Sequence, residues 1–483
     1  MAERVAGERF RAGWVALLGA LSLAAADRPN ILFIMADDHT SQAWSCYGGR
    51  LAAFAKTPNI DRLAAEGALL ENCFCVNSIC VPSRASILTG QYSHRNGVRT
   101  LRDALPSSAD NVAKRLQAVG YQTALVGKWH LKQAPAGFHY WNIIKGQGRY
   151  HEPVMYEMSL DNGEVQTGAY STDVFTDKAL NWLDRCEPSK PFCLMLHFKA
   201  THEPWQFHPR HAALFEDVEI PEPDTLLRTT GPKDSRVPGW PLEILTGRMT
   251  AAGKHGNGKL IPSSDDPVTT RQETYQKFVK DFLRCGAAID ENVGRVMDYL
   301  RERRLTNSTV LIYTSDQGYF LGEHNYFDKR FMLEESLRMP FVIRYPKEIR
   351  ARTVLDDLVL NIDFAATFLD YAGVTIPGSL QGRSFRTNLR GQTPLDWRDA
   401  MYYRYFENSE SRPAHFGIRT QTRKLIYYDG LRGVADAKRW EFYDLAEDPH
   451  ENENRYDAMW QSEIVRDLKK RLAVLQAQAG DSP

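Results

Sequence analysis

The chain has 483 residues, enough for a substantial core and for roughly two to four domains by size alone. Sixty basic and sixty acidic side chains leave no formal net charge, which argues against a nucleic-acid binder driven by bulk charge and makes any anion recognition a local matter. With 43% hydrophobic and 11% aromatic residues, the composition is that of a globular protein.

Arg9 and Arg11 precede an apolar stretch from Trp14 to Ala26, and Ala24-x-Ala26 offers a small-residue cleavage site before Asp27. That is the grammar of a signal peptide over residues 1–26, so the expected destination is a periplasmic, secreted or lysosome-like compartment. No later stretch approaches the ~20 apolar residues of a membrane span. Export permits disulfides, but seven cysteines are too sparse for a disulfide scaffold at this size. Cys186 and Cys193 flank the start of a strand, and sequence leaves their pairing open.

Asn30 to Ala36 is a continuous apolar run, the kind of strand buried on both faces of a parallel sheet. Thr57 to Leu70 has helical spacing, with Ile60, Leu63, Ala64 and Gly67 on one side, and Ala109 to Val119 repeats it before a strand at Gln122 to Val126. A helix at Thr172 to Cys186, a strand at Phe192 to Phe198 and a long helix at Tyr275 to Arg303 follow. Strands at Thr309 to Thr314 and Phe341 to Tyr345 lead to a helix from Ile362 to Tyr371. This alternation predicts an α/β fold, a large mixed, mostly parallel sheet flanked by helices. Residues 229–271, rich in Gly, Pro, Thr and Ser, read as a surface insertion. Its Gly253-x4-Gly258-Lys259 lacks both the Ser or Thr and the preceding strand of a phosphate loop. After residue 385 the pattern changes: strands at Ile418 to Tyr428 and Trp440 to Leu445 and a helix at Ile464 to Leu475 suggest a smaller C-terminal α+β subdomain over 386–483. The catalytic domain is then expected at 27–385.

One run stands apart. Ser78 to Gly90 reads Ser-Ile-Cys-Val-Pro-Ser-Arg-Ala-Ser-Ile-Leu-Thr-Gly. Proline belongs in a helix's first turn and glycine just past its end, so the Cys80 sulfur is expected at the mouth of a short helix. Unsatisfied N–H groups there favour an anion, and Arg84 lies one turn along. A thiol so placed could be a nucleophile, a metal ligand or a substrate for modification.

Four strand ends carry polar clusters: Asp37-Asp38, Gly127-Lys128-Trp129-His130, Lys199-Ala200-Thr201-His202-Glu203-Pro204 and Ser315-Asp316-Gln317-Gly318. In a parallel sheet all four face one edge, where ligands of open α/β sheets gather. Two unit charges ~4 Å apart repel by about 4 kcal/mol at an effective dielectric near 20. Gathering Asp37, Asp38 and Asp316 therefore calls for a cation. Oxygen donors, with Gln317 as a neutral amide, suit Ca²⁺ or Mg²⁺. Arg84, Lys128 and Lys329 would surround an anion, and His130 and His202 can move protons near neutral pH.

The Cys-x-Pro-Ser-Arg run followed by Leu-Thr-Gly resembles the signature of type I sulfatases, in the alkaline phosphatase superfamily. Arg-Pro-Asn-Ile-Leu-Phe-Ile-Met-Ala-Asp-Asp is similar to that family's opening strand, Thr-Ser-Asp-Gln-Gly to its second metal motif, Gly-Lys-Trp-His to its lysine–histidine pair, and Thr-His-Glu-Pro to its His-x-Pro element. The resemblance runs from Arg28 to about Tyr456 in the expected order. Two positions depart from it: Gln317 stands where many relatives have Asn, and Thr201 where arylsulfatases have proline. It implies an alkaline-phosphatase-like fold and oxidation of Cys80 to formylglycine by a formylglycine-generating enzyme. It further implies one divalent ion, normally Ca²⁺, on Asp37, Asp38, Asp316, Gln317 and residue 80, with Arg84, Lys128, His130, His202 and Lys329 as catalytic groups. The implied reaction is sulfate-ester hydrolysis with inorganic sulfate released.

The Asp328 to Ser336 run and His415 to Thr420, with Lys424-Leu425-Ile426, look like carbohydrate sulfatases acting on glycosaminoglycans, nearest the N-acetylglucosamine-6-sulfatase and iduronate-2-sulfatase-like groups. Trp205, Arg404, His415 and Arg419 are then candidates to hold the sugar. The competing readings are a formylglycine phosphonate or phosphodiester hydrolase, a choline or aryl sulfatase, an unmodified-thiol enzyme, and a non-catalytic sulfated-glycan-binding protein.

Overall fold

The computed structural model describes residues 28–481 apart from residues 229, 252–254 and 432; the expected signal peptide lies outside the described residues. Ten strands form the main sheet, in the order Thr353–Leu355, Ala68–Leu70, Phe341–Arg344, Thr309–Ser315, Asn30–Asp37, Phe192–Thr201, Gln122–Lys128, Tyr140–Ile144, Val154–Glu157 and Gly163–Val165. The five from Thr309–Ser315 to Tyr140–Ile144 are mutually parallel. Phe341–Arg344 runs antiparallel to Thr309–Ser315, so the sheet is mixed and mostly parallel, as expected.

The unbroken apolar run of Asn30–Asp37 is buried along its whole length because both faces of the sheet are covered. Ile31, Phe33 and Met35 point to one layer, which includes Val81, Ala85, Leu116, Phe364 and Phe368 from three helices. Leu32 and Ile34 point to the other, built on the helices Pro267–Glu302, Ser171–Leu183 and Pro58–Ala65. Each such side chain contributes about 1.5–3 kcal/mol on burial. The two layers hold the central strands rigid, and so fix the geometry of their carboxyl ends.

Three stretches differ from expectation. The helix expected to Leu70 stops at Ala65, and Ala68–Leu70 is a strand. A Cβ at Gly67 would lie 2.1 Å from the Ile343 carbonyl oxygen, so the chain turns there against the neighbouring strand. The supposed strand from Ile418 to Tyr428 is a hairpin, His415–Thr420 and Arg423–Tyr427, closed where the Thr420 hydroxyl accepts the Arg423 N–H at 3.0 Å. The 229–271 stretch is not all surface loop. It contains the helix Leu242–Thr250, whose Leu242, Leu245 and Met249 recur at helical spacing and are buried. All seven cysteines are free, Cys186 and Cys193, whose pairing the sequence leaves open, included. Four antiparallel strands between Ala400 and Asp444 make the small C-terminal sheet, against which the helix Glu463–Ala479 packs.

Gly127, one residue before Lys128, has φ 102° and no room for a Cβ, which would sit 2.0 Å from the His197 carbonyl oxygen. Gly127→Ala is expected to cost about 3 kcal/mol or more, because a left-handed backbone and a backbone clash coincide. Urea unfolding would measure it; a cost near zero would refute this account of the strand end.

Candidate active site

Asn30–Asp37, Gln122–Lys128, Phe192–Thr201 and Thr309–Ser315 are neighbours in one parallel set, so their carboxyl ends share an edge. Cys80 is the first residue of the helix Cys80–Thr89, entered from Ile79 in extended conformation and closed by Gly90 at φ 65°. The sulfur thus lies at the positive end of the helix dipole. Arg84, one turn on, is 2% exposed. It donates from Nε to Asp316 Oδ2 at 2.9 Å and from one terminal nitrogen to the Lys128 carbonyl at 2.7 Å. Its other terminal nitrogen is buried with no hydrogen bond and lies 3.8 Å from Asp37 Oδ1, so its donor capacity toward an anion is unspent.

Each carboxylate of the expected metal cluster faces its own cation. Lys128 Nζ pairs with Asp37, Lys329 Nζ donates to both oxygens of Asp38 at 2.5–2.6 Å, and Arg84 holds Asp316. Ligand oxygens of Asp37, Asp38 and Asp316 come within 4.8 Å of one another, and all three residues are buried. Asp37 Oδ1 and Gln317 Oε1 are buried without a partner, which in a protein interior is costly. Gln317 directs its amide nitrogen to Asp38, so its oxygen is the free end. An oxygen-coordinated divalent ion fits this donor set.

Protonation follows the same geometry. Burial raises Asp316 to about 8, and the charge of Asp37 adds to the rise. Burial also lifts Asp38 to about 6, against the pull of Lys329. Burial pushes Asp37 up too, but Lys128, His202 and Arg84 together hold it well below the usual carboxylate range. Burial takes the Cys80 thiol to about 11, against Lys128 and Lys329. At neutral pH only about one thiol in ten thousand would then be ionised, which disfavours the unmodified-thiol reading.

His202 lies with Nε2 3.9 Å from Asp38 Oδ2, and its loop is pinned by the Tyr150 hydroxyl, which donates to the His202 carbonyl at 2.6 Å. His130 carries an unpartnered buried Nδ1. Burial, helped by Lys128, lowers it to about 2, so it stands as a neutral imidazole able to accept a proton. Cys80, Arg84, Lys128, His130, His202, Lys329, Asp37, Asp38, Asp316 and Gln317 are therefore brought to one place.

The four sugar-binding candidates are not part of that grouping, and each is corrected by its packing. Trp205 is fully buried, its ring 4.6 Å from Phe278 and stacked on His255. His415 is fully buried among Tyr403, Tyr405, Tyr428 and Phe331. Arg419 is spent on Glu334 and the face of Phe74. Arg404 pairs with Asp429 at 2.8 Å and covers Phe406 and Phe416. A polar or aromatic residue in a small sheet gives no sequence signal separating framework from binding surface.

Other residues were given no role by the sequence pattern. Lys199 is buried with its ammonium 4.6 Å from the Tyr150 ring centre, and burial, with Lys128, lowers it to about 7. Gln147 accepts a hydrogen bond from Lys128; its signal was the Gly146-Gln147-Gly148 turn just past a strand end. Asp328 and Arg330 flank Lys329, bond each other at 2.7 Å and reach Arg412 and Glu407. Both have left-handed backbones, at φ 81° and 97°, a strain common beside functional groups.

Residues 29–374 match the family model described as sulfatase, and residues 322–478 match one described as N-sulphoglucosamine sulphohydrolase, C-terminal. The chain is 39% identical to an N-acetylglucosamine-6-O-sulfatase of Bacteroides thetaiotaomicron, over 96% of this chain and 90% of that one. It is 27% identical to the human N-acetylglucosamine-6-sulfatase, over 80% and 69% respectively. A solved structure described as in complex with its substrate D-glucosamine-2-N,6-O-disulfate superposes with TM-score 0.83 at 38% identity, covering 94% of this chain and 99% of that one. The phosphonate monoester hydrolase of Agrobacterium radiobacter shares the fold, at TM-score 0.74 and 22% identity over 94% and 96%. With its fold and the sulfatase match over most of its length, the chain belongs to the sulfatase family and is a sulfuric ester hydrolase.

Proposed function

We propose that the protein removes the 6-O-sulfate from an N-acetylglucosamine or glucosamine unit of a glycosaminoglycan-type sugar, using formylglycine made from Cys80. The observation that carries the chemistry is the buried ring of Arg84, Lys128 and Lys329 around Asp37, Asp38 and Asp316, with residue 80 at a helix mouth. The sugar is supported by the resemblance to an N-acetylglucosamine-6-O-sulfatase at 39% identity and to the structure at 38% identity in complex with D-glucosamine-2-N,6-O-disulfate. Hydrated formylglycine, installed by a formylglycine-generating enzyme, supplies a hydroxyl nucleophile. Asp37, Asp38, Asp316, Gln317 and residue 80 would hold Ca²⁺ or Mg²⁺, which supplies Lewis-acid stabilisation of charge on the sulfuryl oxygens.

The chain's own groups do the rest. The unpartnered terminal nitrogen of Arg84 and the ammonium groups of Lys128 and Lys329 bind and orient the sulfate oxygens. His130 takes a proton from residue 80 as sulfate departs. His202 or Lys329, which flank the same Asp38 carboxylate, protonates the leaving alcohol. The two are separable: loss of the proton donor should slow esters of basic alcohols by about 100-fold or more while sparing activated aryl esters. His202→Ala and Lys329→Ala assayed on both ester types would assign the role. The arginine-leading, small-residue-closing N-terminus is in keeping with export of the mature enzyme.

A panel of sulfated disaccharides with defined sulfate positions, alongside matched phosphonate esters, tests the substrate. Release from the glucosamine 6-position should exceed release from 2-O, 4-O and N positions by at least about 100-fold, a difference of roughly 3 kcal/mol in transition-state binding. Preference for another position, or for the phosphonate, would refute the assignment.

A further inference from the structure

The small C-terminal sheet reaches the catalytic edge through one hydroxyl. Tyr403, on the strand Ala400–Tyr405, is fully buried with its ring stacked on His415. A phenol has one proton to donate and lone pairs to accept with, and burial, which holds this one well above its ordinary value, keeps the proton in place. Tyr403 spends both capacities on backbone outside its own sheet. Its oxygen accepts the Ser78 N–H at 3.1 Å, and its O–H donates to the Arg330 carbonyl. Ser78 lies two residues before Cys80, and Arg330 directly follows Lys329. By contrast, Tyr428 and Tyr443 donate to Glu441, inside the subdomain.

Other bonds run alongside. The Arg404 N–H donates to the Val76 carbonyl at 3.1 Å. The Ser78 hydroxyl donates to the Ser336 carbonyl at 2.7 Å, which also accepts the Gly318 N–H at 2.9 Å. The left-handed backbone of Arg330, at φ 97°, persists only where its surroundings fix it, and the Tyr403 bond fixes the carbonyl. We propose that Tyr403 is a positioning residue for sulfate-ester hydrolysis, its hydroxyl setting the spacing of residue 80 and Lys329 and making the C-terminal subdomain part of the catalytic apparatus. The proposal rests on the roles given above to those two groups. Misplacing a reacting group by ~1 Å can cost about 100-fold in rate. Without the hydroxyl, two buried backbone groups lose their partner, and the segments move to recover one. Arg84 and Lys128, to which Tyr403 is not bonded, would still hold the sulfate, so the loss falls on kcat and spares KM.

Tyr403→Phe, which keeps the ring against His415, tests this on glucosamine 6-sulfate, with 4-nitrophenyl sulfate as a substrate independent of the sugar assignment. A fall in kcat of at least about tenfold is expected, with KM changed by less than about twofold. Tyr428→Phe, which loses a buried hydroxyl bond inside the subdomain, should lower the unfolding midpoint yet keep kcat within about twofold. If Tyr403→Phe does not fold, Ser78→Ala carries the test: it removes the parallel bond to Ser336 and should give the same split between kcat and KM. Wild-type kcat in the variant that carries the test, or an equal loss in folded Tyr428→Phe, would overturn the proposal. The mass of the residue-80 peptide, read on the same samples, separates the two ideas. A wild-type peptide without the loss of about 18 Da would refute the formylglycine reading. Equal conversion in wild type and variant with unchanged kcat would refute the role of Tyr403 alone.

Discussion

Cys80→Ala is expected to abolish turnover, lowering kcat/KM by about 10⁴-fold or more, because it removes the nucleophile itself and not a group that assists it. Cys80→Ser separates the two meanings of the position. If the thiol acted directly, a hydroxyl at the same helix mouth would retain part of the activity. If the cysteine is a precursor, serine leaves a hydroxyl that a thiol-oxidising formylglycine-generating enzyme would not convert to the aldehyde, and the loss should be nearly as deep. The thiol, raised to about 11 chiefly by burial, is a poor nucleophile as it stands. Mass spectrometry of the peptide containing residue 80 should show wild-type material lighter by about 18 Da, the change from thiol to aldehyde. The structure predicts little effect on folding, since Cys80 packs without a disulfide. Near-normal activity in Cys80→Ala with an unshifted wild-type peptide mass would overthrow the scheme.

How much of this was legible in sequence depended on whether the information was local. The strand Asn30–Asp37 announces itself because both its faces are buried and its apolar run is unbroken. Cys80, Pro82, Arg84 and Gly90 declare a helix and its ends through their spacing. The convergence of Asp37, Lys128, His202 and Asp316 needed one non-local step, that strands in a parallel sheet share an edge. Where the outcome rests on contact across the chain, the pattern is silent. Gly67 ends a helix because of Ile343, far along the sequence. Trp205 looks like a sugar platform until Phe278 and His255 are found against it.

Asp316→Asn is expected to lower turnover by at least about 100-fold, and to do so by loosening the divalent ion. The linkage of stability to pH provides a readout independent of catalysis. Asp38 and Asp316 sit in the folded protein at about 6 and about 8, raised mainly by burial from 3.8. A carboxyl raised in this way makes the folded state bind more protons than the unfolded one. Its contribution to stability is complete below the unfolded value and lost as pH climbs through the folded values. Asp37, held well below its ordinary value by Lys128 against burial, contributes oppositely, with stability present above 3.8 and lost only in acid. Between about pH 5 and pH 8 the ion-free protein should therefore lose stability as Asp38 and Asp316 are stripped of protons with nothing to replace them. A divalent cation bound at the cluster would replace them. The rise in unfolding midpoint on adding saturating calcium should accordingly grow from about pH 5 to about pH 8. In Asp316→Asn one of the two titrating carboxyls is gone, so the gain should be smaller and flatter. A calcium-induced shift that is the same at both pH values, or an undiminished shift in Asp316→Asn, would mean that the ion does not bind at Asp316 and that the carboxylates are balanced by Lys128, Lys329 and Arg84 alone.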